Sequence, residues 1–480
     1  MINTRQHTVV HIARMTLEAR TALSIGTGSP DGVFDTTLAT DANGLPALPG
    51  TSLAGVLRHL YQQVYCDNQE SQELRNLFGY QHRNEGRPSA LWVSWGCIQD
   101  SQGQPVEGLL LGEERQRLEK DPLLAYAAGL VDAPEFRDRV RINHRGAAAD
   151  KGKFDRSVLP AGFRFSVELQ LFSTERHDEH WEKLLKLLLH PAFRLGGNTR
   201  AGLGRFKLVS LHEGSFDLSA ADEAKRWCAL SRSVGCVQGL NPREFENKPF
   251  PGAITGTLVL EPEAFWRIGG GDLSLRGGSS KEKPADLLPK LEPRVVWNDD
   301  GGRVVSQLLL VPASSIKGAL SHRLAFHHNV LNDTFADDVA DVDAYDTANN
   351  DAVKQLFGWV KSDEEDGAAG RLLLEDAYVD ANPKSIKTIW HNAIDRYTGG
   401  VRNHMLFSED AVWTGVIRVD FAILTAGIDD KTREALQRTL EDLCEGRLAI
   451  GAGSTKGHGY CRGSIEWCDG GQWLQGGTRT

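Results

Sequence analysis

Two glycine-rich stretches carry the residue types best suited to chemistry on an anion. They are LGGNTRAGLGRF at 195–206 and IGAGSTKGHGYC at 450–461. Gly196, Gly197, Gly202 and Gly204 in the first match Gly451, Gly453, Gly457 and Gly459 in the second. Glycine lets a backbone pass close to a ligand and turn successive N–H groups toward phosphate oxygens. Arg200 and Lys456 add charge inside the same stretches. The competing reading is a tight turn ahead of a final strand. Neither stretch is a nucleotide motif: Lys456 precedes Gly457, whereas a P-loop needs the reverse order, and Gly26-Thr27-Gly28 finds its next glycine one residue late for GxGxxG. No nucleotide cofactor is expected.

Two further patterns suit the same anion. Pro-small-Ser stretches at Pro49–Ser52 and Pro312–Ser315 open apolar runs at helical spacing, with Thr51/Ser52 and Ser314/Ser315 as N-cap candidates. Helix N-termini attract anions, and Ser52, Ser315 and Lys317 stand beside these two; plain capping is the alternative. Between Arg137 and Arg164 there are eight Lys/Arg against three Asp, with Asn143, His144 and Arg145 at the centre. Such a segment can bind phosphate on an acidic protein, because screening confines each charge to ~8–10 Å.

These features come in pairs, in one order. LPGTSLAGVLRHL at 48–60 returns as VPASSIKGALSHRL at 311–324, and LFGY at Leu77 returns as LFGW at Leu356. Asn143-His144-Arg145 is answered by the segment from Asn392 to Arg396, and the glycine stretches close each series. The offsets of 263, 279, 249 and 255 residues mean a duplicated domain rather than a solenoid unit. The first copy spans 7–208 and the second 252–468, with 209–251 as a linker holding a short helix near Asp222 to Leu230. Each copy reads β, α, β, β, α, β, an α+β, ferredoxin-like (RRM-like) order.

Composition sets the class. The chain has 480 residues, enough for two or three cored domains, and no apolar stretch approaches the ~20 residues of a membrane span. The opening stretch MINTRQHTVVHIARM lacks a signal-peptide h-region, so a cytoplasmic protein is expected, and seven scattered cysteines with no CxxC pair argue for reduced thiols and against a disulfide framework or a zinc site. The net charge of −10 lies wholly in the second half: residues 1–240 carry 28 Lys+Arg and 28 Asp+Glu. Asn332 to Asp351 alone holds seven aspartates and no Lys or Arg, and it is read as a solvated insertion or a docking face for a basic partner. It lacks the glycine of an EF-hand loop.

Taken in order, these residues resemble the RAMP superfamily. GVFDTTLATDANGLPALPGTSLAGVLR (32–58), LFG, the basic segment and GGNTRAGLG are similar to the repeating backbone subunit, the Cas-seven type, of type III CRISPR effector complexes. VPASSIKGAL, LFG, GRLLLEDAYV, HNAIDRYTGG and GAGSTKGHGY repeat the likeness, and the tandem resembles the fused double subunit of type III-D variants. The resemblance implies two RAMP domains with inserted thumb hairpins, and guide RNA, complementary target RNA and other effector subunits as partners. It also implies an aspartate that cuts target RNA with Mg²⁺ or another divalent ion. The family pattern GxxD falls on Gly32–Asp35, which gives Asp35 that role; Asp31 and Asp41 are nearby rivals, and any of them could be a turn residue. In the second copy Glu292 lies nearest the corresponding place, with Asp272 a looser option, so that copy is expected to bind RNA rather than cut it. RNA contacts are expected at Ser52, Arg58, Asn143, His144, Arg145, Gly196, Gly197, Arg200 and Gly202 in the first copy. In the second they are expected at Ser315, Lys317, Asn392, Arg396, Gly451, Gly453, Lys456 and Gly457. Two alternatives stay open: a non-catalytic RNA scaffold, and a guide-processing RNase working through His144.

Overall fold

A computed structural model describes residues 7–26, 38–67, 69–83, 85–246, 249–271, 284–338, 345–361, 366–380, 382–468 and 471–475. In the first copy, β1 (Val9–Ala19) lies at the middle of an antiparallel sheet. Helix α1 (Gly50–Tyr65) is followed by β2 (Leu91–Val93) and by a hairpin of β3 (Arg139–Ile142) and β4 (Ala148–Phe154). Next come β5 (Arg164–Ser173), α2 (Glu179–Leu187) and β6 (Phe206–Asp217). Four strands of this six-stranded sheet run β6-β1-β5-β2, that is, last, first, third, second, while Asn241–Pro242 adds outside β6 and Cys97–Ile98 pairs with β5.

The reasons are local. Alternating Ala13, Met15 and Leu17 of β1 face Val167 and Leu169 of β5 and the apolar stripe Leu53, Leu57, Leu60 of α1, all buried in one core. Asp178 caps α2, accepting the N–H groups of His180 and Trp181. The last strand runs past residue 208 to Asp217, paired along β1 throughout. Helix α3 (Ala221–Cys228) and its flanks then cover the opposite face of the sheet. There Ile12, Phe216 and Leu240 gather with Trp227, and Arg14, paired with Glu168 at 2.6 Å, donates to the carbonyls of Ser231 and Cys236.

The second copy repeats the plan. It contains β7 (Ala253–Pro262), a hairpin of β8 (Leu291–Asn298) and β9 (Gly301–Val311), α4 (Ala313–Leu331), β10 (Leu372–Leu374) and β11 (Ala377–Asp380). It continues with β12 (Ile386–His391), β13 (Phe407–Val412), β14 (Ile417–Leu424), α5 (Asp430–Cys444) and β15 (Cys461–Trp467). The sheet order β15-β7-β14-β10 is again last, first, third, second. Among the described residues no helix is long and apolar enough to cross a membrane, and the cysteines are unpaired.

The two helix starts correct the expected caps. Pro49 and Pro312 occupy the N-cap positions and neither helix has a side-chain cap, so Thr51/Ser52 and Ser314/Ser315 lie inside the first turn. Crowding explains the first start, because a Cβ on Gly50 would meet the Val93 carbonyl at 2.5 Å. At the second, the Asp376 carboxylate accepts the Ala313 N–H at 2.9 Å in place of a cap.

The β8–β9 hairpin is built from the extra length ahead of Pro312, and it lies across the first copy. Val295 N–H donates to Ala161 O at 2.9 Å, and Trp297 Nε1 to Gly162 O at 2.8 Å. The Arg164 guanidinium sits 4.1 Å from the Trp297 ring centroid. Gly162 is obligatory, since a Cβ there would meet the Val295 carbonyl at 1.9 Å. Beside this contact Arg137 of the first copy is buried against two carboxylates of the second. Its Nε and Nη2 donate to Glu292 at 2.8 and 2.6 Å, and its Nη1 donates to Asp376 at 2.6 Å. Tyr378 Oη donates to Glu292 at 2.7 Å. Burial opposes the Arg137 charge, yet Asp376 and Glu292 raise its pKa well above the usual value.

Removing one partner of a buried pair strands the other charges, at a cost of about 3–5 kcal/mol. Arg137→Met is therefore expected to destabilise the chain by that amount in denaturant or calorimetric unfolding. Arg418→Met, which removes an exposed pair with Glu466, is expected to cost under about 1 kcal/mol.

Candidate nucleic-acid interface

The two glycine stretches share one backbone. Positive φ occurs at Gly196, Asn198, Gly202 and Gly204, and at Gly451, Gly453, Gly457 and Gly459. Each encloses a short 3-10 turn, Thr199–Ala201 and Ser454–Lys456. Gly453 is thus answered by Asn198, which tolerates the left-handed region, and not by Gly197 as the spacing of glycines suggested. Leu195 N–H donates to Gly204 O at 2.9 Å, and Ile450 N–H to Gly459 O at 2.9 Å. The N–H groups of Gly197, Ala201, Leu203 and Gly204 are also bonded within the first copy. Much of the expected main-chain donor set is therefore engaged by the turn itself, and any grip on phosphate falls mainly to side chains.

Those side chains converge at the seam between the copies. A Cβ on Gly202 would meet Ala313 Cβ at 2.4 Å and Asp376 Oδ1 at 2.7 Å, so the first loop lies against the start of α4. Four cations gather there. Arg200 comes from the loop, Arg139 and Arg156 come from the two ends of the basic hairpin, and Lys317 comes from the first turns of α4. Arg139 Nε and Nη2 are buried and have no hydrogen-bond partner among the described residues. Burial, with Arg137 and Arg156 nearby, pushes Arg139 down to about 10 against the pull of Asp376. Burial followed by the repulsion of Arg139 and Arg200 lowers the Lys317 ammonium to about 8. Burial lowers Arg200 as well. Among the described residues Lys317 Nζ meets the Phe357 carbonyl, at 3.4 Å, and the face of that ring. Arg156 Nη1 is 3.4 Å from Ser24 Oγ. Among the described residues none of these four has a carboxylate partner, because Arg137 has taken Glu292 and Asp376.

The second loop is arranged differently. Among the described residues nothing lies within 4 Å of a Cβ on Gly457. Lys456 Nζ is 3.4 Å from His391 Nδ1 and stands over the Phe407 ring, while His391 Nε2 pairs with Glu409 at 3.0 Å. Arg267 holds the other Glu409 oxygen at 2.7 Å. Each loop thus sits against its copy's hairpin, the first beside Arg156 at the base of β3–β4 and the second beside His391 and Phe407 at the loop end of the β12–β13 ladder.

The RAMP superfamily model matches residues 16–207 and 260–462, one region for each copy. The chain belongs to the RAMP superfamily. No curated protein matches it. RAMP proteins are associated with CRISPR effector complexes, and each matched region runs from the first strand through the glycine loop.

Within these RAMP modules the other expected residues separate. Asp35, Asp31 and Asp272 lie outside the described residues. Asp41 is a turn former, its carboxylate accepting the N–H groups of Asn43 and Leu45. Glu292 is fully buried under Arg137 and Tyr378. Arg58 donates to the Gly79 carbonyl and pairs with Glu70, and Ser52 is half-buried in α1. Ser315 N–H closes the first turn of α4 onto Pro312 O. Asn143 shapes the hairpin turn, its Oδ1 accepting from Arg145 and Ala147 N–H. His144 packs edge-on to Tyr345 with both ring nitrogens buried and unbonded. Asn392, Arg145 and Arg396 are exposed. Part of the acidic stretch docks within the chain, where Asp346 pairs with Arg141 of the first hairpin. Asp376 escaped the sequence reading although it stands in the quoted GRLLLEDAYV. Arg137 and Arg139 alternate with Arg141, a period-two signal that names a strand but not a face.

Both Gly202 and Gly457 hold positive φ, where alanine costs about 1 kcal/mol. Only Gly202→Ala also collides with α4 and Asp376. It is expected to lower the unfolding midpoint clearly more than Gly457→Ala, as read by thermal melts of the two variants.

Proposed function

We propose that the chain is the guide-RNA-binding backbone subunit of a type III CRISPR effector complex, two RAMP modules fused in tandem as in type III-D variants. On this reading it positions complementary target RNA and cuts it through Asp35. The observation that carries the reading is the repeated placement of a left-handed glycine loop against a hairpin, with cations that have no ion pair among the described residues gathered at the first. A cation cluster whose neighbouring carboxylates are committed to Arg137 matches a polyanion held by shape and charge rather than by base sequence. The antiparallel order last, first, third, second is the order of a ferredoxin-like (RRM-like) sheet. The β3–β4 and β12–β13 hairpins would serve as its thumbs. In the first module α3 and its flanks cover the outer sheet face, so RNA would run along the loops and hairpin roots instead.

The cut needs a group that orients or deprotonates a ribose 2′-OH for in-line attack on the neighbouring phosphate. Asp35 would do this through position, since a carboxylate with a pKa near ~3.9 is a weak base. A divalent ion at Asp35 would neutralise charge developing on the phosphate. Among the described residues no three metal-ligating side chains converge, and Asp35 lies outside those residues. Glu292 is committed to Arg137, which supports a second module that binds without using that carboxylate. The edge-on contact of His144 with Tyr345, which encloses both ring nitrogens, argues for a packing role over guide processing.

Labelled target RNA and Mg²⁺ added to the assembled complex give the test. Asp35→Ala is expected to lose one specific cut by about 10²–10⁴-fold while still binding target, and His144→Ala to cut normally with mature guide. Undiminished cutting by Asp35→Ala would replace this reading with the non-catalytic scaffold. Accumulated unprocessed guide in His144→Ala would replace it with the processing nuclease.

A further inference from the structure

We propose that the seam between the copies is a composite seat for one phosphodiester of a bound RNA strand, built jointly by Arg139 and Arg200 of the first copy and Lys317 of the second. The proposal rests on the RNA-binding reading above and adds the place, the residues and a proton linkage.

Three observations lead to it. First, Arg139 is unanswered. Among the described residues its buried Nε and Nη2 have no partner, and a buried unsatisfied donor costs about 1–3 kcal/mol until an acceptor arrives. A planar guanidinium fork fits two phosphate oxygens. Second, one carboxylate sets the spacing of all three cations. Asp376 accepts from Arg137, two residues before Arg139, and from the Ala313 N–H, one turn before Lys317. It also touches the space above Gly202, two residues after Arg200. Asp376 thereby fixes the cations without neutralising them, and Glu292 is committed to Arg137 and Tyr378. Third, the seat is not repeated. Ala54 stands where Lys317 stands in the paired motif, and Thr455 stands where Arg200 stands. Neither copy alone holds the trio.

The occupant is a polymer rather than a free phosphate because the charge continues outward. Arg156 lies beside Gly197, and the hairpin that bears Arg139 also bears Arg145, Lys151 and Lys153.

Lys317 faces Arg139, Arg200 and the Phe357 ring and carbonyl. Burial and those two arginines lower it to about 8. In the free chain it is therefore charged below that pH and increasingly neutral above it. A seated phosphate favours the charged form, so binding above pH 8 must take up a proton and weakens by up to about tenfold per pH unit. Arginine stays charged throughout.

Affinity of the full chain for an unstructured single-stranded RNA, measured from about pH 7 to pH 9.5 at several salt concentrations, tests this. The wild type is expected to lose affinity above pH 8, and Lys317→Arg to keep it. Lys317→Ala is expected to bind weakly at all pH values, with a salt slope smaller by about one. Melting curves check that the variants fold. Equal loss of affinity with pH in wild type and Lys317→Arg, or an unchanged salt slope in Lys317→Ala, overturns the seat while leaving RNA binding intact. Inorganic phosphate competing at concentrations comparable to RNA phosphate overturns the polymeric occupant. A wild type that binds no RNA overturns the wider reading itself.

Discussion

Everything at the seam depends on one buried ionic node, Arg137 against Glu292 and Asp376. Such a node adds little net stability compared with an apolar contact of the same shape, because three charges have left water. Its value lies in direction. Arg137 offers one fork to Glu292 and its remaining nitrogen to Asp376, and Tyr378 completes Glu292. Any slip between the copies would strand a charge, so the node accepts one relative placement. Because Asp376 also caps α4 and abuts Gly202, that placement aligns hairpin, helix and loop together.

The duplication was legible because each loop needs left-handed backbone at four places, and glycine fills all of them in the second copy and three in the first. Asn198 takes the fourth, which is why a count of glycines put Gly197 there. The helices were legible from apolar stripes such as Leu53, Leu57 and Leu60. Their starts were misread, because crowding at Gly50 and a distant carboxylate at Ala313 do the work assigned to serine. The node was not legible at all. Arg137 is 155 residues from Glu292 and 239 from Asp376, and no local pattern reports a pairing across such separations. The extra span before Pro312 was visible as length, but its use as the β8–β9 hairpin across the first copy follows only from three-dimensional packing.

The two copies have diverged in chemistry around a shared backbone. The first loop is closed over by the second copy, and among the described residues its cations have no ion-pair partner. The second loop is open at Gly457, and its cations are balanced by Glu409. The acidic excess of the second half is likewise not spread evenly: part of it docks the first hairpin through Asp346, and part forms the node. An overall negative charge is thus compatible with a locally basic seam.

Crosslinking the chain to photoreactive single-stranded RNA, followed by mass spectrometry of the adducts, tests the central claim most directly. The account predicts adducts on peptides from all three seam elements, spanning Arg137–Arg145, Leu195–Phe206 and Ala313–Leu324. Efficient crosslinking that spared these three peptides while marking other surfaces would contradict it.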